Sequence, residues 1–568
     1  MKILSLHVDY IKFKPLKKAI KSLPDLPENE KGEKKIKDAL AILTAVEKGD
    51  SVSGSIGELV KNVEDIAKQV KAKNIVLYPY AHLSSNLANP KVAMEVLEEA
   101  EKVLKKKKGF TVSRAPFGYY KEFELKVKGH PLSELSREIK TSESRGGEET
   151  YDYKKLLREI SKSKLDSSKL KQNDHRIVGR EMDLFSFSEV APGMVFWHNN
   201  GLIIRNELIE FWRDLQCGSG YEEISTPQIL DAKLWKISGH WDKYKENIFL
   251  SDYEGKAFAV KPMNCPGGML VYKSRPRSYK ELPLRVAELG VVHRQELSGV
   301  LGGLFRVVQF TQDDAHIFCT LKQLEEEILN VINLDDAIYS KFGFKYSIEL
   351  STRPKKRIGT NKQWDEAEKI LESVLKKSKI KYKTNKGDGA FYGPKIDFHL
   401  KDSLGRTWQC GTIQLDFSMP ERFDLEYVDK DNKRKRPIMI HRTLYGSLER
   451  FIGILLEHTN GRLPTWMAPI QVRVISFTDR NEKYAKEIIK KLGEEIPGLR
   501  VDADFQSSTI QGKVKEAELM RIPYIVVAGD REEKGKSVAL RIRGDKKIKS
   551  VKLDSFVKDL KKEIQEKL

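Results

Sequence analysis

Residues 284–318, LRVAELGVVHRQELSGVLGGLFRVVQFTQDDAHIF, constrain the fold more than any other part of the chain. Two runs rich in β-branched and aromatic residues flank a Gly-rich stretch around 297–303, which reads as two strands and a loop. Side chains on one face of a strand recur every second residue, so the second strand is expected to set Arg306, Phe310, Gln312, Asp314 and His316 side by side. Paired antiparallel through the loop, the first strand would add Arg294 and Glu296, while Val307 and Phe305 fall on the opposite, apolar face. A cation, a ring, an amide, a carboxylate and an imidazole do not pack as a hydrophobic core, because a buried polar group is costly unless partnered. Such a face reads as the floor of a ligand site.

At 568 residues the chain has room for about four domains. Its 32% charged and 40% hydrophobic residues suit a globular protein in water and fit neither a largely disordered chain nor a membrane protein. A net charge of +20 favours a polyanionic partner, nucleic acid first, although a Lys-rich solvated surface accounts for it equally well. Cys217, Cys265, Cys319 and Cys410 show no CxxC spacing, so no disulfide framework is expected and a reducing compartment is the default. His7 and Asp9 interrupt the first apolar run too early for a secretory signal, and no apolar run approaches the ~20 residues of a membrane span. A cytoplasmic protein with no membrane association is expected.

Along the chain, residues 1 to about 140 alternate strand-like and helical runs, with a strand at 74–80 and a helix from about 90 to 108, as in a small α/β domain. From 141 to about 171 nearly every residue is charged, Ser or Gly, which reads as a linker. The largest domain runs from 183 to about 469. Beyond it, strands at 472–477, near 501 and at 522–528 alternate with helices such as 482–492, suggesting a small parallel α/β module.

The patterns HRQE (293–296), FTQDDAHIF (310–318), KPMNCPG (261–267), WQCGTIQLDF (408–417) and GSLERFIGILLE (446–457) resemble the motifs of class II aminoacyl-tRNA synthetases, and together those of threonyl-tRNA synthetases. Residues 201–229, a helix followed by YEEISTPQI, resemble the first class II motif, which implies a homodimer. The resemblance implies a multidomain α/β and α+β chain: a deacylase-like α/β editing domain at 1–145, a linker at 146–180, a class II antiparallel sheet flanked by helices at 181–469 and an α/β anticodon-binding domain at 470–568. It also implies that threonine and ATP give threonyl-adenylate and that threonine then passes to tRNA(Thr). A prolyl-type relative would lack the combination of Cys265, His316 and His441. A catalytically silent, RNA-binding relative would not need Arg294, Arg306 and Arg450 together.

Activating a carboxylate with ATP requires fixed positive charge on the phosphates. Arg294 is the candidate for the α-phosphate and Arg306 and Arg450 for the outer ones, with Mg2+ accompanying the nucleotide. By resemblance, adenine lies between Phe310 and Arg450 with Glu296 near its amine, and Gln312, Tyr392, Lys395, Gln409 and Gln414 complete the substrate- and ATP-binding set. Cys265, His316 and His441, up to 176 positions apart, match the family's zinc ligands one by one. One thiolate and two imidazoles leave a tetrahedral zinc with an open position. Threonine's amino and hydroxyl groups would fill it, Asp314 accepting from the hydroxyl, so that valine is rejected. Gly268 departs from the family, in which a His is frequent there, but it is no ligand position. His240, in SGHWDKY, matches a residue associated with transfer to the terminal ribose.

Serine carries the same two groups, and a missing methyl yields only ~1–3 kcal/mol of discrimination, so a second, hydrolytic site is expected. YPYAHLSS (78–85), APFGYYKEF (115–123) and GHPLSELSR (129–137) resemble the archaeal-type editing domain, related to D-aminoacyl-tRNA deacylases, which implies that His82, Tyr120, Lys121 and Glu134 line that site. The sequence does not say which group activates the water. In the C-terminal module Glu532 and Arg541 match base-reading positions, and Lys534, Lys536 and Arg543 are candidates for phosphate contacts.

Overall fold

Alternating apolar and polar residues make β1 (Lys2–Lys18) the spine of the first of two units, Met1–Asp152 and Tyr153–Leu568. The computed structural model describes residues 1–20, 25–139, 153–160, 168, 170–402, 405–545 and 547–567. In the first unit β2 (Lys34–Ala45), α1 (Val52–Val70), β3 (Asn74–Pro79), α2 (Pro90–Lys105), β4 (Thr111–Arg114), β5 (Tyr119–Val127) and β6 (Glu134–Glu138) follow. The sheet order is β4–β3–β2–β1–β5, and β6 also pairs with β1. β2, β3 and β4 are parallel neighbours, as crossovers through α1 and α2 require. Both helices start at side-chain caps, Ser51 and Asn89, and α2 buries Ala93, Val96, Leu97, Ala100 and Leu104 at helical spacing. Those helices cover one face of the sheet. The other face carries Phe13, Val76 and Tyr78.

In the second unit a short helix at Tyr153–Ile160 is followed by α3 (His175–Glu181), α4 (Asn199–Cys217) and β7 (Tyr221–Glu223). Next come α5 (Cys265–Lys273), β8 (Leu284–His293), β9 (Gln309–Cys319), α6 (Leu324–Lys341), β10 (Tyr346–Ser351), α7 (Asn361–Lys377), β11 (Tyr382–Asn385), β12 (Lys395–Lys401), β13 (Thr407–Asp416), β14 (Ile438–Ser447) and α8 (Leu448–Thr459). They build an eight-stranded sheet in the order β11–β10–β12–β13–β14–β9–β8–β7, antiparallel except at its two edge pairs. Behind it, α6 and α8 bury Ile328, Val331, Phe451, Ile452 and Leu455 in the main core. The open face is left for ligands.

β15 (Val472–Ser476), α9 (Glu482–Glu495), β16 (Val501–Asp504), α10 (Ile510–Leu519), β17 (Tyr524–Ala528), β18 (Ser537–Ile542), β19 (Ile548–Lys552) and α11 (Leu553–Gln565) form a separate five-stranded sheet. The expected parallel module is its first half, β16–β15–β17. β18 and β19 add an antiparallel hairpin.

Two expectations change. Arg294, Glu296 and Arg306 do not sit on the strands, because β8 ends at His293 and β9 begins at Gln309, so all three lie in the connection between them. The segment read as a linker also reaches less far. Its residues 146–152, 161–167 and 169 lie outside the described residues, but 175–180 belong to α3, which packs on α8 and buries His175, Val178 and Gly179. Among the described residues no helix is long and apolar enough to cross a membrane.

Candidate active site

Strand register lays out the site, since directly opposed residues of paired strands share a face of the sheet. One row across β8, β9, β14, β13 and β12 is Val286, His316, His441, Gln414 and Lys395. The next is Glu288, Asp314, Thr443, Thr412 and Asp397. A third pairs Gly290 with Gln312 and Gln312 with Ser447. The β9, β12, β13 and β14 members of these rows, apart from His316 and Asp397, floor a cavity of about 600 Å³ whose walls include Cys265, Arg294, Glu296, Arg306, Phe310, Tyr392, Gln409 and Arg450. The expected alternation of Phe310, Gln312, Asp314 and His316 on one face is therefore found in β9, and thirteen of the fifteen expected catalytic, substrate and metal residues line this one cavity.

Each arginine is aimed by a backbone oxygen or a carboxylate. Arg294 donates through Nε to Pro262 O at 3.1 Å, with its guanidinium over the Phe310 ring, 5.1 Å from the centroid. Arg450 donates to Phe305 O and Gln409 O at 3.0 and 3.2 Å. Arg306 pairs with Glu296 at 2.9 Å. Burial, ahead of repulsion from Arg294 and Arg306, weakens the hold of Arg450 on its proton. Three guanidiniums around one cavity call for a polyanion. The cation stacked on Phe310 is Arg294, and Glu296 is engaged with Arg306. Further along the floor, Lys395 Nζ lies 2.9 Å from Asp397, Gln409 donates to Asp397 at 2.6 Å, and Tyr392 hydroxyl donates to Gln414.

Cys265 at the start of α5, His316 in β9 and His441 in β14 each offer a ligand atom, and these atoms lie within 4.8 Å of one another. All three are buried. Asp416 accepts from His441 Nε2 at 2.9 Å, which leaves Nδ1 free to ligate. His316 Nε2 has no hydrogen-bond partner, and burial drives the His316 pKa well down, so the ring is neutral. Burial, with Asp314 and Asp416 nearby, pushes the Cys265 thiol well up; a bound cation acts in the opposite sense. A sulfur and two imidazoles, each with a ring nitrogen left to ligate, fit a borderline-soft divalent cation. Asp314, beside them, is raised to about 7 by burial, with His441 opposing and Glu288 adding to the rise. Asn264 donates to it at 3.4 Å. Gly290 makes that possible, because a Cβ there would stand 2.0 Å from Asn264 Oδ1.

His240 is not a surface residue. It is fully buried, its Nδ1 is 2.8 Å from Ser238 Oγ, its Nε2 is without a partner, and burial lowers its pKa to about 3. Phe391, whose ring meets it edge-on at 5.4 Å, lines the cavity in its place.

In the first unit Lys121 extends over the Tyr78 ring and donates to Pro116 O and Tyr119 O at 2.9 and 3.1 Å. Burial lowers its pKa to about 8. Tyr80 bridges Tyr78 to His82 through ring contacts of 6.3 and 5.5 Å. Tyr120 is exposed and, one residue from Lys121 on β5, points to the other face; Glu134 is exposed at the start of β6. In the C-terminal module Arg541 lines a basic cavity of about 610 Å³ with Arg462, Lys515 and Arg521, whereas Glu532 lies beside Gly529 and Phe477 near the end of β15. Arg543 is not a free phosphate contact: it is bound to Arg521 O and Leu463 O.

Comparison with known proteins places this geometry. A solved structure from Cryptosporidium parvum, the RNA binding domain of threonyl-tRNA synthetase, is 43% identical with a TM-score of 0.66, and the match covers 68% of this chain and 98% of that one. The chain belongs to the threonyl-tRNA synthetase family. Family models match in three places: the archaea-specific editing domain of threonyl-tRNA synthetase at 1–139, the class II core domain of the G, H, P, S and T synthetases at 245–459, and an anticodon binding domain at 471–563. The threonine–tRNA ligases of Caldanaerobacter subterraneus and Clostridium tetani are 55% and 52% identical over 397 and 398 residues, 70% of this chain in each case. The chain spans about three fifths of the length of these curated relatives, 61% and 62%.

Several residues that build this member of the threonyl-tRNA synthetase family were not singled out in its sequence. Asn264 and Asp416 sit inside the quoted motifs KPMNCPG and WQCGTIQLDF, and for Asn264 the signal is its place beside the candidate ligand Cys265. Lys261 and Glu288, paired at 2.8 Å and buried, share Thr226 and so tie three segments together; nothing local in the sequence links them.

Proposed function

We propose that the chain is a threonine–tRNA ligase that forms threonyl-adenylate from threonine and ATP, transfers threonine to the 3′ end of tRNA(Thr) and hydrolyses mischarged seryl-tRNA in its N-terminal unit. The observation that carries this reading is the convergence of Arg294, Arg306 and Arg450 with the Cys265–His316–His441 cluster on one cavity. Arg294, aimed by Pro262 O, binds the α-phosphate, and Arg306 and Arg450 bind the outer phosphates with Mg2+. A guanidinium held in place before substrate arrives loses little in reorganisation when charge develops on the phosphate. Phe310 offers adenine a flat surface.

Zinc held by Cys265, His316 and His441 would supply a Lewis-acid position for threonine's amino and hydroxyl groups. Asp314, steadied by Asn264, accepts from that hydroxyl, and a substrate with a methyl in its place removes that donor and leaves the carboxyl only Asn264. Gln312, Tyr392, Lys395, Gln409 and Gln414 orient threonine and adenylate along the floor. His240, buried behind Phe391, does not face the cavity, so its part in transfer is to hold the Phe391 wall and not to accept the ribose proton.

In the editing unit, Lys121 with His82 receives the tRNA 3′ end, with Glu134 at its rim, while Tyr120, on the other face of β5, falls outside it. Glu532 and Arg541 read the anticodon. We read the domains as 1–145, 181–469 and 470–568, with α3 joined to the second, and the assembly as a cytoplasmic homodimer through the 201–229 segment, where Leu202 and Ile229 are exposed. The test is charging of tRNA with labelled threonine by the wild type and by Cys265→Ala. The wild type should carry about one zinc per chain and charge, and the variant should lose both; a metal-free preparation with full activity contradicts the zinc site.

A further inference from the structure

His175 belongs to no motif, yet both its ring nitrogens are spoken for. Its Nδ1 lies 2.8 Å from Glu457 Oε1, and its Nε2 lies 3.0 Å from the amide nitrogen of Leu304. A carboxylate accepts and an amide N–H donates, so the ring that satisfies both is neutral, with its proton on Nδ1. His175 is 1% exposed and stands at the start of α3, while Glu457 is in α8 and Leu304 is in the connection between β8 and β9. One imidazole therefore ties three parts of the unit together.

That connection runs outside the strand ladder, closed at its base by Arg294 N–H to Val308 O at 2.9 Å. It carries Arg294, Glu296 and Arg306, contains Gly299, Gly302 and Gly303, and is held inside by short turn bonds such as Phe305 N–H to Gly302 O at 3.1 Å. The 302–307 segment rests on His175 in two ways. Leu304 N–H donates to Nε2, and the Phe305 ring lies 4.3 Å from the imidazole and stacks on Trp408 at 4.3 Å. Arg406, bonded to Glu457, covers both Phe305 and Trp408. Gly303 makes room: its φ is +57°, and a Cβ there would stand 2.2 Å from His175 Nε2. The carbonyl of Phe305 in turn accepts from Arg450 Nε at 3.0 Å.

We infer that His175 is a positioning residue for the nucleotide-phosphate subsite: by clamping Leu304 and Phe305 it sets the backbone that carries Arg306 and the carbonyl that aims Arg450. The inference rests on the ATP reading given above. Asp174, His175 and Glu457 are also close enough to suggest a cation site. Both imidazole nitrogens are engaged and Glu457 is bound by Arg406, so a cation would have to break this network, whereas the clamp uses it as it stands.

The test uses two variants of the full chain. His175→Asn keeps a donor for Glu457 and places nothing at the Nε2 position; His175→Gln can return a carbonyl acceptor to Leu304. In threonine-dependent ATP–pyrophosphate exchange, His175→Asn should raise the KM for ATP about tenfold, as expected for one lost buried hydrogen bond, with the KM for threonine and the zinc content unchanged. His175→Gln should recover most of the loss. Backbone amide exchange should accelerate over 302–307 in the Asn variant. An unchanged KM for ATP, or equal rises in both KM values, overturns the inference. Should the wild type show no threonine-dependent exchange, the ligase reading fails by itself, and amide exchange still decides: acceleration confined to 302–307 supports the clamp, and unchanged exchange refutes it.

Discussion

Arg294 illustrates what a single residue contributes. Its Nε is committed to Pro262 O, so the rest of the guanidinium is presented as a fixed planar fork that an ammonium cannot copy. Arg294→Lys should lower adenylate formation by about 10²–10³-fold with the melting temperature unchanged, read by pyrophosphate exchange and calorimetry; near-normal exchange would remove Arg294 from the site. Lys121 is the opposite case, a cation whose burial is unfavourable. Its pKa falls from 10.5 to about 8 on folding, so between those values the unfolded state binds more protons and the stability of the N-terminal unit rises with pH. The slope is at most ~1.4 kcal/mol per pH unit. Urea unfolding of wild type and Lys121→Met should show a stability difference that favours the variant more below pH 8 than at pH 10. A difference that does not change with pH would mean that Lys121 titrates normally.

Among the elements, β9 shows how far a sequence can be read. Its alternation gave Phe310, Gln312, Asp314 and His316 one face because a strand repeats every two residues whatever its neighbours do. The same reasoning failed for Arg294, Glu296 and Arg306, since period two holds only while the ladder continues and it stops at His293. The row from His316 to His441 depends on register between strands 125 residues apart, and its extension to Gln414 and Lys395 on register across two further strand pairs, which no local pattern encodes. The candidate metal cluster is legible only through family resemblance for the same reason. His175 stayed hidden because it sits next to a run of charged and small residues, and its meaning comes from α8 and the Leu304 amide. The contact between β8 and Asn264 gives a prediction at this scale. Gly290→Ala should displace Asn264 and cost roughly 1–3 kcal/mol, as overpacking does, and should raise the KM for threonine more than that for ATP, because Asn264 holds Asp314. Wild-type stability with an unchanged threonine KM would show that the close approach is not needed.

For the whole molecule, the proposed function is a division of labour that follows from the size of one methyl group: the sheet cavity would select threonine over valine, and a separate unit would remove serine. Deleting residues 1–145 should leave zinc content and threonine activation largely intact while seryl-tRNA accumulates when serine is supplied. If the truncated chain accumulates no more seryl-tRNA than the full one, the N-terminal unit is not an editing domain. The most direct test of the activity itself is exchange of labelled pyrophosphate into ATP by the purified chain, measured one amino acid at a time. Threonine should drive rapid exchange, serine slower exchange by a factor of about 10–200, and valine almost none; exchange driven equally by valine, or none with threonine, would contradict the account.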